Sequence, residues 1–260
     1  MIDVQNQADT RGIKIQRTGV SKVHLPILIS DGGKIQQVTS QICFTVSLSE
    51  KVRGTHMSRL MEILTDWTEK PITISDVEKI LLDAQKKLDA DFSAIQFEFK
   101  YFVEQSAPIS ARKSFLDVDC KFNGELYENS RMKFNLGLTV PFTSLCPCSR
   151  EISSFGAHNQ RSICKVNLEI ADVSKAEDFG IEKIFRLIEE QGSSKIFPIL
   201  KREDEKFVTE YAYQNPKFVE DILRDVVGTL RDVENISTFE VECENFESIH
   251  NHNAYAYFKA

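Results

Sequence analysis

Ile95-Gln96-Phe97-Glu98-Phe99-Lys100-Tyr101-Phe102-Val103 is the clearest strand signal in the chain, because apolar and polar side chains alternate along it. In a strand, this alternation puts the apolar side chains on one face of a sheet. Ser114–Phe122 is predicted as its hairpin partner. An antiparallel sheet with one apolar face, covered there by helices, predicts an α+β fold.

The same order of elements is predicted twice along the chain. The strands of the first half, besides those above, are Ile13–Arg17, Val23–Ile29 and Gln36–Leu48, and its helices are Thr55–Trp67 and Val77–Leu88. The strands of the second half are Lys133–Val140, Ser162–Ile170, Thr238–Asn245 and Ala254–Phe258, and its helices are Ile181–Glu190 and Phe218–Asp232. We therefore expect a duplicated ββααββ unit, with residues 1–125 as the N-terminal unit and 126–260 as the C-terminal unit. Open sheet edges must be paired or covered, which closure into a barrel by oligomerisation would achieve.

Composition limits the partners of this 260-residue chain. The net charge of -7 argues against binding to nucleic acid or to an anionic membrane surface. No apolar run approaches the roughly 20 residues that span a bilayer. The N-terminus lacks the pattern of a signal peptide, and the six cysteines do not form a secreted disulfide framework. We expect a cytoplasmic protein.

Two thiols lie one residue apart in Leu145-Cys146-Pro147-Cys148-Ser149-Arg150, shortly before His158-Asn159-Gln160-Arg161. If the segment is extended, residues i and i+2 point to the same side, so both sulfur atoms could face one pocket. Thiolate and imidazole are ligands of zinc-like ions. These residues alone leave open a metal site, an ordinary loop with two packed thiols, and a disulfide.

Four further segments carry groups that could act on an anionic substrate. Glu247-Ser248-Ile249-His250-Asn251-His252 supplies a carboxylate and two imidazoles, or forms an ordinary polar turn. Arg53–Arg59 crosses a strand-to-helix junction, where anions are favoured. Lys201–Lys206 is a mixed charge run that is either a solvated loop or a source of cations and a carboxylate. Glu220, in the first turn of a helix, could accept two parallel N–H donors from a purine or pterin.

Taken together, the segments Arg53–Arg59, Thr143–Ser149, Gly156–Ser162 and Glu247–His252 resemble the prokaryotic type IB GTP cyclohydrolases over nearly the whole chain. The resemblance implies the tunnelling fold, with two ββααββ units per subunit, assembled into a homotetramer. It also implies hydrolytic opening of the guanine imidazole ring of GTP. The products would be formate and 7,8-dihydroneopterin triphosphate, at the entry to tetrahydrofolate and pterin biosynthesis.

The resemblance also assigns roles to particular residues. A divalent ion (manganese, zinc or iron) would be held by Cys146, Glu205 and His250. Catalysis would involve Cys146 with Cys148, His158 and His252, and Glu220 would bind the guanine edge. The candidate cations for the triphosphate are Arg53, Arg59, Arg161, Lys201 and Arg202.

Two alternatives stay open at this point. One is another tunnelling-fold purine or pterin enzyme, such as a nitrile reductase that uses a cysteine nucleophile and NADPH. Paired cysteines with a distant His-x-His suit metal-assisted hydrolysis better than a lone nucleophile does. The other is a non-enzymatic metal-binding or nucleotide-binding protein, although structural zinc sites use four ligands at tighter spacing.

Overall fold

The computed structural model describes residues 3–129 and 131–260. Within them the strands are β1 Ile15–Asp31, β2 Lys34–Leu48, β3 Pro71–Ile72, β4 Phe92–Ser106, β5 Lys113–Tyr127, β6 Met132–Leu145, β7 Asn159–Ile170, β8 Ile236–Asn245 and β9 Ala254–Lys259. The helices are α1 Met57–Asp66, α2 Ile74–Leu88, α3 Pro147–Ile152, α4 Ile181–Glu189, α5 Arg202–Gln214 and α6 Val219–Arg231, with a 3₁₀ helix at Val173–Asp178. No helix in this part of the chain has the length and apolarity needed to cross a membrane.

The strands form one nine-stranded sheet in the order β3-β1-β2-β4-β5-β6-β7-β8-β9. The short β3 runs parallel to β1, whereas β1–β2, β2–β4, β7–β8 and β8–β9 are antiparallel pairs. Along β4 every second side chain from Ile95 to Gln105 is buried, which confirms the alternation predicted from the sequence. Two strands, two helices and two strands follow one another in each half, with β3 added in the first half and α3, a 3₁₀ helix and α5 added in the second.

Two compact units can be distinguished. The first comprises Met1–Lys100, Lys121–Leu136 and Asp172–Asp178, and the second comprises Tyr101–Cys120, Gly137–Ala171 and Phe179–Ala260. The bounds of these two units reflect which residues pack together. The predicted boundary at residue 125 instead divides the chain between two repeats of the same element order, and it stays a prediction.

In the first unit, α1 and α2 pack together over β1 and β2, where Leu60, Ile80 and Phe44 are fully buried. Helix α2 begins with a capping box, in which the Thr73 hydroxyl accepts from the Asp76 N–H and the Asp76 carboxylate accepts from the Thr73 N–H. Both bonds satisfy N–H groups at the start of the helix.

In the second unit, α6 packs against β8 and β9 and also contacts α4. Ile222, Val226 and Leu230 form the buried face of α6, at the 3.6-residue spacing that predicted this helix. The sheet contributes buried side chains at alternate positions of β7 and β8, among them Cys164 and Cys243, which are direct cross-strand partners.

The structure corrects three local expectations. The predicted strand Ile13–Arg17 begins two residues before β1, and its remainder belongs with Val23–Ile29 to that one strand. Pairing of β1 is irregular near Val20, and Lys22 has a positive φ of 56°. Helices α3 and α5 lie where a loop was expected. Neither could be read from apolar periodicity, because no residue of α3 is buried and only Asp204 and Ala212 are buried in α5.

Candidate active site

Cys146 lies where β6 ends and α3 begins, and it is the N-cap of that helix. Its Sγ accepts the backbone N–H of Ser149 at 3.4 Å. Pro147 occupies the first helical position, where its fixed φ and missing N–H favour helix initiation. The expectation that Cys146 and Cys148 share one side of an extended segment is therefore wrong. Cys148 is exposed on the helix, Cys146 is half-buried, and both are free thiols.

The end of β6 is held by two loops of the second unit. The Leu145 N–H donates to Ser193 Oγ at 3.0 Å, and the Leu145 carbonyl accepts the Lys217 N–H at 3.1 Å. The turn before Ser193 approaches closely because residue 192 is glycine: a Cβ there would lie 2.7 Å from the Phe142 side chain. The residue before Cys146 is thus bound to the segment that enters α6 and carries Glu220.

His158 lies against the Cys146 turn through its backbone. The Cys146 N–H donates to the His158 carbonyl at 3.1 Å, and the His158 N–H donates to Ser149 Oγ at 3.2 Å. Its imidazole Nδ1 lies 3.0 Å from Gln160 Oε1 and 3.8 Å from Glu247 Oε2. The His158 and Glu247 side chains are 15% and 14% exposed. Three of the sequence motifs therefore meet here, and Glu247 pairs with His158.

A buried polar network lies beneath His158. Gln160 Nε2 donates to Ser144 Oγ at 2.7 Å, and Ser162 Oγ donates to the same oxygen at 2.8 Å. All three side chains are buried. The network was not predicted from the sequence, although polar residues at alternate positions of β7 were its signal.

The His-x-His pair lies in the segment between β8 and β9. His250 and His252 are exposed, and their rings stack with centroids 5.1 Å apart. The segment begins beside β7, because the Phe246 N–H donates to the Arg161 carbonyl at 3.0 Å. Arg161 itself is exposed.

Asp204 fixes the first turn of α5, which carries Lys201, Arg202 and Glu205. It is fully buried and accepts the N–H groups of Ile109 and Ser110, each at 2.8 Å. The Ser110 hydroxyl at 2.6 Å and the Lys201 N–H at 2.8 Å complete its partners. Burial alone would raise the pKa of Asp204, but these four donors outweigh it and hold the pKa well below its usual range. The sequence analysis did not single out Asp204.

The remaining predicted residues lie at the surface. Lys201, Arg202 and Glu205 are exposed on α5, as is Glu220 on α6, all in the second unit. Arg53 and Arg59 belong to the first unit. Their guanidinium groups donate to Gln7 Oε1 at 2.9 Å and to the Lys87 carbonyl at 2.7 Å, respectively.

The predicted metal ligands can be tested against this geometry. Thiolate, carboxylate and imidazole together suit zinc, manganese or iron, so the donor chemistry of Cys146, Glu205 and His250 fits a divalent ion. However, across residues 3–129 and 131–260 no three Cys, His, Asp or Glu side chains cluster closely enough to hold one. The three donors are not assembled into a preformed site in this single chain.

Comparison with known proteins gives one family. The family model described as type I GTP cyclohydrolase folE2 matches residues 1–256. The GTP cyclohydrolase FolE2 of Geobacter sp. (strain M21) is 48% identical over 255 residues, covering 98% of this chain and 92% of that protein. The Geotalea uraniireducens (strain Rf4) protein of the same name is 48% identical over 257 residues, with the same coverage.

Solved structures give the fold. Uricase from Arthrobacter globiformis superimposes with a TM-score of 0.57 at 7% identity, covering 94% of this chain and 92% of that chain. Urate oxidase from Bacillus subtilis 168 gives a TM-score of 0.52 at 7% identity, covering 94% and 98%. At such identity the likeness shows the fold alone, and it confirms the tunnelling fold predicted from the sequence.

Proposed function

The chain belongs to the type I GTP cyclohydrolase FolE2 family, and we propose that it converts GTP and water to 7,8-dihydroneopterin triphosphate and formate, the first step of tetrahydrofolate and pterin biosynthesis. The observation that carries this proposal is the 48% identity over 98% of the chain to a protein named for that activity. The finer assignment to type IB, made from the sequence motifs, forms part of the proposal.

The Cys146 turn supports the proposal because it brings a thiol and an imidazole onto one backbone scaffold. Hydrogen bonds join Cys146, Ser149 and His158, so a change in one displaces the others. In the reaction, His158 delivers a proton to the imidazole ring of guanine, which makes C8 more electrophilic. His252 and Cys148 are further candidates for proton transfer near this turn.

We assign the divalent metal ion to Cys146, Glu205 and His250. When bound, such an ion acts as a Lewis acid and lowers the pKa of coordinated water. Among the described residues these three donors do not form a preformed cluster, so the assignment rests on their donor chemistry. Metal content measured on purified wild-type protein and on the Glu205→Gln variant tests the assignment.

Glu220 is proposed to bind the guanine edge, since a carboxylate accepts two parallel N–H donors. Two observations support this role: Glu220 is exposed, and its helix is tied to the Cys146 turn through Lys217. Lys201 and Arg202 at the start of α5 are exposed cations for the triphosphate. Arg161, Arg53 and Arg59 are the other candidates.

We further propose a homotetramer that acts in the cytoplasm. Strand β9 is an edge strand of the sheet, and its Tyr255 and Tyr257 side chains are exposed. An edge strand with exposed aromatic side chains is suited to pairing with another subunit. Sedimentation equilibrium of the purified protein tests the oligomeric state, and a mass of one chain would contradict it.

A single assay separates this function from the alternatives. Purified protein, reduced and loaded with manganese, zinc or iron(II), is incubated with GTP, and formate and neopterin fluorescence after oxidation are measured. A chelator should abolish both signals, whereas a nitrile reductase would form no formate and would require NADPH. A non-enzymatic protein that binds a metal ion only for its structure would form neither formate nor neopterin.

A further inference from the structure

His158 Nδ1 faces two hydrogen-bond acceptors. Gln160 Oε1 lies 3.0 Å away, and Glu247 Oε2 lies 3.8 Å away on the same ring nitrogen. An ionised carboxylate is an acceptor only, so it favours a proton on the nitrogen that it faces. Among the described residues none bonds to the other ring nitrogen, Nε2. The surroundings of the ring are therefore asymmetric.

The orientation of the Gln160 amide agrees with that asymmetry. Its Nε2 donates to Ser144 Oγ at 2.7 Å, which leaves Oε1 toward His158. Ser162 also donates to Ser144 Oγ, at 2.8 Å. Because all three polar side chains are buried, a reoriented amide would have no water available to replace a lost bond. The opposite amide orientation would point the Gln160 NH₂ group at His158 Nδ1, the same ring nitrogen that lies near Glu247.

We propose that Gln160 is a positioning residue that keeps a proton on Nδ1 of the His158 ring. In this tautomer Nε2 carries the lone pair, so Nε2 takes up a proton from the attacking water and passes it to the guanine ring nitrogen, while the Nδ1 proton stays in place. This catalytic consequence rests on the proposed function, whereas the tautomer itself does not. An amide suits the role because, unlike a carboxylate, it cannot take the Nδ1 proton during turnover.

The tautomer can be measured directly. Long-range ¹H–¹⁵N correlation spectra of zinc-loaded protein with ¹⁵N-labelled histidine distinguish a protonated ring nitrogen from one with a lone pair. The chain has five histidines, and the His158 signals are assigned by their loss in His158→Gln. We expect the proton on Nδ1 in the neutral wild-type ring. A proton on Nε2 overturns the proposal.

Variants then separate positioning from folding. Gln160→Met keeps a similar side-chain length but removes the acceptor that is within hydrogen-bond distance of Nδ1, since Glu247 lies 3.8 Å away. The Nδ1–H signal should therefore become mixed with Nε2–H. The kcat for GTP should fall about 10- to 100-fold, within the range of general acid–base effects, with KM changed less than about threefold. Gln160→Glu restores an acceptor, so it should recover the Nδ1–H signal. Gln214→Met, at an exposed position of α5, is the matched control and should resemble wild type.

A second change covers the case in which Gln160→Met does not fold. Ser144→Ala leaves Gln160 in place and removes the oxygen that orients its amide, so it should give a mixed tautomer and an intermediate kcat. Unchanged spectra in both variants would overturn the proposal. If the wild-type protein forms no formate but shows the Nδ1–H signal, the proposed function fails while the positioning of His158 stands.

Discussion

Cys146 Sγ accepts the backbone N–H of Ser149 at 3.4 Å, so the sulfur atom caps α3, while the backbone N–H of the same residue donates to the His158 carbonyl. A group that caps a helix has a structural role whatever chemistry it performs. Substitution by residues that differ in capping ability separates the two roles.

Cys146→Ser should retain the cap, and Cys146→Ala should remove it. We expect both variants to lose more than about 99% of formate production, since a catalytic group that acts on reacting atoms contributes at least that much. The alanine variant should be about 1 kcal/mol less stable to urea than the serine variant, as for other N-cap losses. Activity within a few-fold of wild type in either variant would remove Cys146 from the mechanism.

Cysteine reactivity should follow position. Cys148 is exposed on α3, whereas Cys164 is fully buried opposite Cys243. Burial and the neighbouring Cys243 raise the pKa of the Cys164 thiol well above its ordinary value, so little thiolate is present at neutral pH. Mass spectrometry after brief iodoacetamide treatment of native protein should find Cys148 modified first and Cys164 unmodified. Early modification of Cys164 would contradict the packing described.

Asp204→Asn should destabilise the protein in a pH-dependent manner. The folded-state pKa of Asp204 is lowered, so its stabilising contribution is fully present above the unfolded-state pKa of about 3.9 and is lost as the pH falls toward the folded-state value. Urea unfolding at several pH values should therefore show a stability difference from wild type that is constant above about pH 5 and shrinks below pH 4. Glu203→Gln, at an exposed position of the same helix turn, is the control. A difference that stays unchanged down to pH 3 would contradict the assigned contacts.

Glu189 stabilises the second unit without contacting the candidate active-site residues named above. It is 1% exposed, lies 2.7 Å from Arg186 Nη1, and accepts from buried Gln105. Removing Glu189 leaves the Nε2 group of buried Gln105 without its acceptor, whereas Arg186 keeps Gln105 Oε1 and Glu182 as partners. Glu189→Ala should therefore lower the free energy of unfolding by about 1 to 3 kcal/mol. The kcat of the folded fraction should stay within about twofold of wild type. Glu190→Ala, next in sequence and more exposed, should cost far less stability.

Glu220→Gln tests the guanine site. Loss of a charged acceptor for two N–H donors should lower kcat/KM for GTP about 100-fold, mainly through KM. Glu210→Gln is a matched control, because Glu210 lies at an exposed position of α5. Equal kinetics for the two variants would show that Glu220 does not bind substrate.

The sequence predicted the sheet more fully than the site. Strand β4 could be predicted because its alternation reports burial directly, and α6 because its apolar stripe has helical period. Helix α5 could not, since it buries little beyond Asp204, whose partners lie at residues 109 and 110. The approach of Glu247 to His158 depends on the register of β7 and β8, which motif spacing does not encode.

The most direct test of the proposed cyclohydrolase activity is formate release from GTP by the purified, metal-loaded protein, measured together with the neopterin product. The account predicts equimolar formate and neopterin triphosphate, both abolished in Cys146→Ser and retained in Glu210→Gln. Absence of formate with manganese, zinc and iron(II), from protein that is folded by circular dichroism, would contradict the proposed cyclohydrolase activity.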